Sequence, residues 1–309
     1  VIEGTTPLTI VPPLPVGELF ETGFDWFKDT FDAAFDAIGD FINSVIDGFA
    51  ELLQAPEPLV LAIVFALLAW LVRDWKLAVG SLVGMVVIIG MDMWDPAMET
   101  LALVVVATLF ALVIGIPLGI WAARSPAVSR ILKPVMDFMQ TMPGFVWLVP
   151  VVILFGIGVA GAMVATVIFA LPPAVRLTEL GIRQVDSEVV EAGHAFGAGS
   201  RQILKDIQLP LALPTLMAGV NQVIMLALSM AVIAGLVGGG GLGNEVVSAI
   251  STLDLALGFD AGISVVILAI FLDRLTASIG SRRPGHGRLR ELRDRFTRTP
   301  ADRTPARVS

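Results

Sequence analysis

The chain has 309 residues and a mean hydropathy of +0.84, with 56% of its residues hydrophobic and 16% charged. Soluble domains carry roughly 25% charge, so the composition excludes an ordinary water-soluble protein, and the absence of cysteine excludes disulfides and thiolate metal sites. The net charge of −8 is divided unevenly: residues 1–57 hold eleven acids and one base, Lys28, whereas from Arg274 onward ten arginines stand against three acids.

Residues 1–57 form an acidic tail with internal order. Phe24, Phe27, Phe31, Phe35, Ile38, Ile42, Val45, Phe49 and Leu52 recur three or four apart, and Asp25, Asp29, Asp32, Asp36, Asp40 and Asp47 occupy the surface between them. That spacing predicts an amphipathic helix with a phenylalanine-rich stripe, with Gly39 and Gly48 as candidate breaks. Its acids are too many for a membrane span, so it is expected to lie on a surface, whether of protein, of another copy or of lipid.

Seven apolar segments follow as candidate spans, over residues 59–72, 77–91, 101–123, 138–156, 160–175, 211–237 and 261–275. The first two, within residues 58–95, are short; joined by Arg73-Asp74-Trp75-Lys76, they read either as two spans or as one re-entrant hairpin. Residues 96–278 hold the other five, and residues 279–309 form a basic tail. With seven spans and the N-terminus outside, nineteen of the twenty basic residues fall on the cytoplasmic side, as the preference of lysine and arginine for that side requires. Gly115, Pro117, Gly119, Pro143, Pro150, Pro172, Pro173 and Pro214 interrupt the spans, which is tolerated only where neighbouring helices or water satisfy the freed backbone groups. The predicted fold class is therefore an all-α polytopic membrane protein.

The long loop over residues 176–210 carries the most information. Asp186 or Ser187 can cap a short helix whose first turn holds Glu188, and Gly197 stands where a helix end favours a residue free to adopt positive φ. A second short helix follows, with Ile203 and Ile207 one turn apart, and Pro210 opens the next span. A helix–glycine–helix unit of this kind is suited to docking in the groove of another protein.

Within that loop Glu191-Ala192-Gly193, three residues, Gly197, nine residues and then Ile207-Gln208-Leu209-Pro210 resemble the "EAA" loop of permeases of binding-protein-dependent ABC importers. Gly193 in place of a second alanine is the one departure. The resemblance extends from Met136 to Leu275, through Met136-Asp137-Phe138-Met139-Gln140-Thr141-Met142-Pro143-Gly144-Phe145, Ala170-Leu171-Pro172-Pro173-Ala174-Val175-Arg176, Gly219-Val220-Asn221-Gln222 and Leu268-Ala269-Ile270-Phe271-Leu272-Asp273-Arg274. There the chain is similar to permeases for glycine betaine and proline betaine. The resemblance implies a type I permease fold in a bacterial cytoplasmic membrane, a second copy of the chain, separate cytoplasmic ATPase subunits that bind the ATP, and an extracytoplasmic substrate-binding protein. It also implies that Glu191, Ala192, Gly193, Gly197, Ile207, Leu209 and Pro210 couple the spans to the ATPase.

Other features carry less. Gly238, Gly240 and Gly243 satisfy the spacing of a dinucleotide fingerprint but follow an apolar span rather than a strand, so a tight turn is the better reading. No cofactor, metal or nucleic acid is expected of this chain; His194 and His286 are too few and too far apart for a metal cluster. Asn221 and Gln222 are the most polar pair inside a long span, and either join helices or line the substrate route.

Overall fold

The computed structural model describes residues 16–280, and among these every regular element is helical. The basic tail from residue 281 on, with His286, and the first fifteen residues lie outside the described residues.

The acidic tail forms α1 (Val16–Gln54), unbroken at Gly39 and Gly48. Its inward face is rotated by about one position from the predicted stripe. Gly39, Ile42, Ile46, Ala50 and Leu53 are buried, while Ile38 and Leu52 are 47% and 64% exposed. At Gly39 the helix comes within reach of its neighbours: a Cβ there would sit in ordinary contact, 3.8 Å from Phe155 and 3.9 Å from Ala160. Further up the helix, Phe27, Phe31 and Phe35 form an aromatic ladder whose last ring meets Phe155 edge-on, centroids 5.4 Å apart. From Gly39 on the helix thus rests on protein, while Trp26, Phe27 and Phe31 before it are exposed.

The hairpin α2 (Pro58–Val72) and α3 (Trp75–Gly90) follows. Proline at the first position starts α2, and the Asp74 side chain accepts from the Leu77 N–H at 2.9 Å to start α3. Four helical stretches are long and apolar enough to cross a membrane: α4 (Trp94–Arg124), α7 (Val159–Arg183), the path over Ser200–Val237, and α12 (Leu255–Gly280). The span predicted over residues 138–156 is divided. α5 (Pro126–Thr141) and α6 (Gly144–Phe155) meet at 99°, because Pro143 forces Met142 out of the helical region (ψ 129°) and cannot itself donate to the preceding turn. The twelve residues of α6 reach about 18 Å, short of a ~30 Å hydrocarbon core. Counting each bent pair, α1 with α2 and α5 with α6, as one span gives up to six, with α3 as a further short apolar helix, so the seven segments read from sequence are not seven uniform crossings.

The centre of the fold is the packing of α4, α7 and α10 (Leu209–Ala234). On α4 the stretch from Ala97 to Thr108 is buried nearly all round, and beyond it Ala111, Gly115, Gly119 and Ala122 recur every three or four positions as a narrow seam of small side chains. A Cβ on Gly119 would lie 2.6 Å from the Val175 carbonyl oxygen, and one on Gly115 2.4 Å from Ala174 Cβ. Such close approach replaces side-chain bulk with backbone contact, the usual means of joining helices in lipid. An element missing from the sequence reading, α11 (Gly241–Thr252), connects α10 to α12. The glycine cluster before it is a tight turn: Gly238 and Gly240 have φ of +75° and +80°, and Gly235 and Gly243 lie backbone to backbone.

Candidate functional site

The charged ends of α4, α7, α10 and α12 come together at one side of the bundle, where the segment over residues 176–210 begins and ends. α7 runs seven residues beyond Arg176, and its polar groups tie the end of the bundle. The Glu179 side chain, 9% exposed, accepts from the Ser129 hydroxyl at 2.7 Å and pairs with Arg183 at 3.0 Å. Arg183 also donates to the Ala122 carbonyl, and Arg176 bridges Asp137 at 2.5 Å and Gln140 at 2.9 Å. These groups were not singled out from sequence; their signal is the spacing Arg176, Glu179, Arg183 on one helical face.

Beyond this anchor, α8 (Ser187–Ala195) begins where the Asp186 side chain accepts from the Glu188 N–H at 2.9 Å. It ends at Gly197, φ +81°, where Gly197 donates to the His194 carbonyl at 2.9 Å and Ala198 to the Gly193 carbonyl at 3.1 Å. That pair of bonds is a Schellman motif, which needs a left-handed residue at the position Gly197 holds. The chain then re-enters a helix at α9 (Ser200–Ile203) and passes through one widened π-type turn, Leu204–Gln208, into α10. Pro210 has no N–H to give the carbonyl four residues back, and the turn widens immediately before it. The second short helix expected from sequence is thus the beginning of one continuous path.

Gly193 explains the shape of this unit. A Cβ there would lie 2.7 Å from Ile207 Cδ1 and 3.5 Å from Ile203 Cγ1, so α8 folds back directly on α9 and the wide turn. Ile203 is buried, whereas no residue of α8 is. Glu191, Ala192 and His194 face outward, and Phe196 is 93% exposed. The result is a braced knob with acid and aromatic groups on its outer surface. Leu209 and Pro210 lie at its junction with α10. Asn221 and Gln222 do not join it, being about 18 Å further along the axis of α10. Asn221 donates to Asp273 at 2.7 Å and accepts from the Thr276 hydroxyl at 3.0 Å, so its amide joins α10 to α12, while Gln222 is exposed.

At the opposite end, Glu99 and Thr100 of α4 accept from the Gly241 and Leu242 N–H groups at 2.7 and 2.8 Å and hold the start of α11. A cavity of about 280 Å³ beside them is lined by Asp47 and Glu51 of α1.

Residues 115–283 match the family of binding-protein-dependent transport system inner membrane components. The chain belongs to this family. The ProW permease of the Escherichia coli (strain K12) glycine betaine/proline betaine transport system is 48% identical over 277 residues, covering 89% of this chain and 78% of that protein. The OpuAB permease of the Bacillus subtilis (strain 168) glycine betaine transport system is 44% identical, covering 90% of this chain and 98% of that one. An inward-facing crystal form of the MetNI methionine ABC transporter has the same fold, with a TM-score of 0.54 at 24% identity over 59% of this chain and 91% of that one. This permease is therefore a multi-pass membrane component of an ABC transporter with a type I permease fold.

Proposed function

We propose that this permease forms the translocation route of an ATP-driven importer for glycine betaine, proline betaine and similar compatible solutes. The 48% identity with a glycine betaine/proline betaine permease along 89% of the chain carries the reading. Two copies pair in the membrane, an external binding protein delivers the solute, and two cytoplasmic ATPase subunits bind and hydrolyse ATP. The sequence supports that division of labour, since it holds no Gly-x-x-x-x-Gly-Lys-Ser/Thr phosphate loop.

In this reading the knob around Glu191 seats in the ATPase subunit. ATP-driven closure of the ATPase pair then moves two knobs together, and each pulls on α10 through the path from Ser200 and on α7 through the Glu179 anchor. A ligand or partner shifts a two-state equilibrium only through contacts that differ between the states. A braced knob transmits such a difference without yielding, which a flexible linker would not. The spans then alternate between outward and inward openings.

The test is reconstitution. Proteoliposomes with this permease, its ATPase and its binding protein should accumulate labelled glycine betaine only with internal ATP, and the permease alone should hydrolyse none. Competition by choline, carnitine and proline reads the substrate range, and accumulation of one of these without any of glycine betaine would reassign the substrate. Orientation has its own measurement in this cysteine-free chain. Single cysteines at the exposed positions Asp36 and Ser200 should label from outside and inside respectively, and the reverse pattern would invert the topology.

A further inference from the structure

The α2–α3 hairpin meets the rest of the bundle along a narrow line, through Phe65 against Phe271 (centroids 5.4 Å) and Gly84 against Ile267. Beside that line α3 and α12 enclose an open groove of about 180 Å³. Lys76, Gly80 and Gly84 line it at positions i, i+4 and i+8, and Ile267 and Ile270 form the facing wall. Gly80 has no atom within 4 Å of where a Cβ would stand, so the groove is open there, and it closes at Gly84, where a Cβ would lie 2.7 Å from Ile267 Cγ2. Val79, Val83 and Val86 around it are exposed, which in a membrane chain means that it faces hydrocarbon.

Two polar groups in this groove lack partners. Ser81 is 6% exposed, lines the groove, and its Oγ makes no hydrogen bond. A serine inside a helix ordinarily donates back to the carbonyl four residues earlier, and in an apolar setting an unpaired hydroxyl is costly. Lys76 lies at the mouth and has no carboxylate partner among the described residues. The acids nearby are engaged: Asp74 with Arg73 at 3.8 Å and with the Leu77 N–H, Asp273 with Arg274 at 3.6 Å and with Asn221. Arg274 is one turn beyond Ile270 on α12, so the mouth carries an excess of positive charge. The adjoining Trp75, 62% exposed, suits the level of the headgroups.

We propose that this groove binds one anionic phospholipid. Its phosphate pairs with Lys76, an ester carbonyl accepts from the Ser81 hydroxyl, and an acyl chain lies over Gly80. The order is that of a lipid entered from the membrane surface: phosphate, ester, chain. Lys76 and Ser81 are five residues apart, about 7.5 Å along the helix, a separation that a glycerol backbone bridges. The lipid closes the gap between α3 and α12 and joins the hairpin to the transport core.

The experiment is lipid retention by the full-length chain, read by native mass spectrometry during stepwise delipidation in detergent. Wild type should retain one phospholipid per chain and prefer phosphatidylglycerol to phosphatidylcholine about fivefold, the effect of one lysine near an anionic surface. Lys76→Gln should abolish that preference, Ser81→Ala should weaken retention of both lipids alike, and Gly80→Leu, whose Cβ enters open space at the groove, should lose both. Inorganic phosphate should displace neither. Full retention by Gly80→Leu would overturn the proposal, as would equal headgroup preference in wild type, which needs no variant. A change in the oligomeric mass of Gly80→Leu would show that a second copy covers the groove, and the lipid would have to be dropped.

Discussion

The α4–α7 seam and the knob around Glu191 are both built on glycine, for opposite reasons. In the seam, Gly115 and Gly119 are glycine because α7 occupies the place of the side chain, with Ala174 Cβ at Gly115 and the Val175 carbonyl and Thr178 Cβ at Gly119. In the knob, Gly197 has no atom within 4 Å of its would-be Cβ and is glycine because its φ is +81°. The first is a packing constraint that holds the bundle together. The second is a local direction that aims one short helix, so damage at the two places should separate assembly from coupling.

The largest effect is expected in the seam. Gly119→Val places a branched side chain against the Val175 carbonyl and the Thr178 side chain, and overpacking of this kind costs about 1–3 kcal/mol or more. Membrane-inserted protein should fall sharply and the remainder should melt at lower temperature; a normal level and melting point would mean that the seam opens freely. Gly197→Val comes next. The left-handed conformation costs an ordinary side chain about 1–2 kcal/mol, and a β-branched one more. Expression should survive, while ATPase subunits are lost on purification or turn over without stimulation by substrate, with Gly197→Ala milder. Normal transport by the valine variant would reduce the knob to a linker.

Asn221→Ala sharpens the comparison within the bundle. It removes both links to α12, and interhelical hydrogen bonds in membranes average about 0.6 kcal/mol each, so a drop of a few degrees in melting temperature with uptake retained is expected. Loss of uptake at unchanged stability would instead place Asn221 in the substrate route. The smallest effect belongs to Glu191→Ala, an exposed position where stability should change by less than about 0.5 kcal/mol. Its mark is reduced stimulation of the ATPase at matched expression, and an unaltered stimulation would exclude a docking contact at Glu191.

Much of this was legible because composition and glycine spacing speak directly to membrane burial and helix ends. Glu191, Gly197 and Ile207-Gln208-Leu209-Pro210 are contiguous in a short window, and their spacing survives intact into three dimensions. What sequence reading lost was set by contacts far along the chain. The rotation of α1 depends on Phe155 and Ala160, more than a hundred residues away. The Phe138–Gly156 region looks like one apolar run, and hydropathy is blind to Pro143 turning it by 99°. α11 escaped notice because Gly241 and Leu242 are held by Glu99 and Thr100, not by a capping side chain of their own.

The widened turn at Leu204–Gln208 sets how this region tolerates changes in length. A π-type turn carries one residue more than an α-turn, so removing one residue there can return the path from Ser200 to ordinary helix with both flanks still facing their neighbours. Removing one residue from the middle of α10, such as Ala218, has no such outlet and turns everything on one side by about 100°, carrying Asn221 away from Asp273. The junction between knob and bundle is thus where a shortened chain can keep its register.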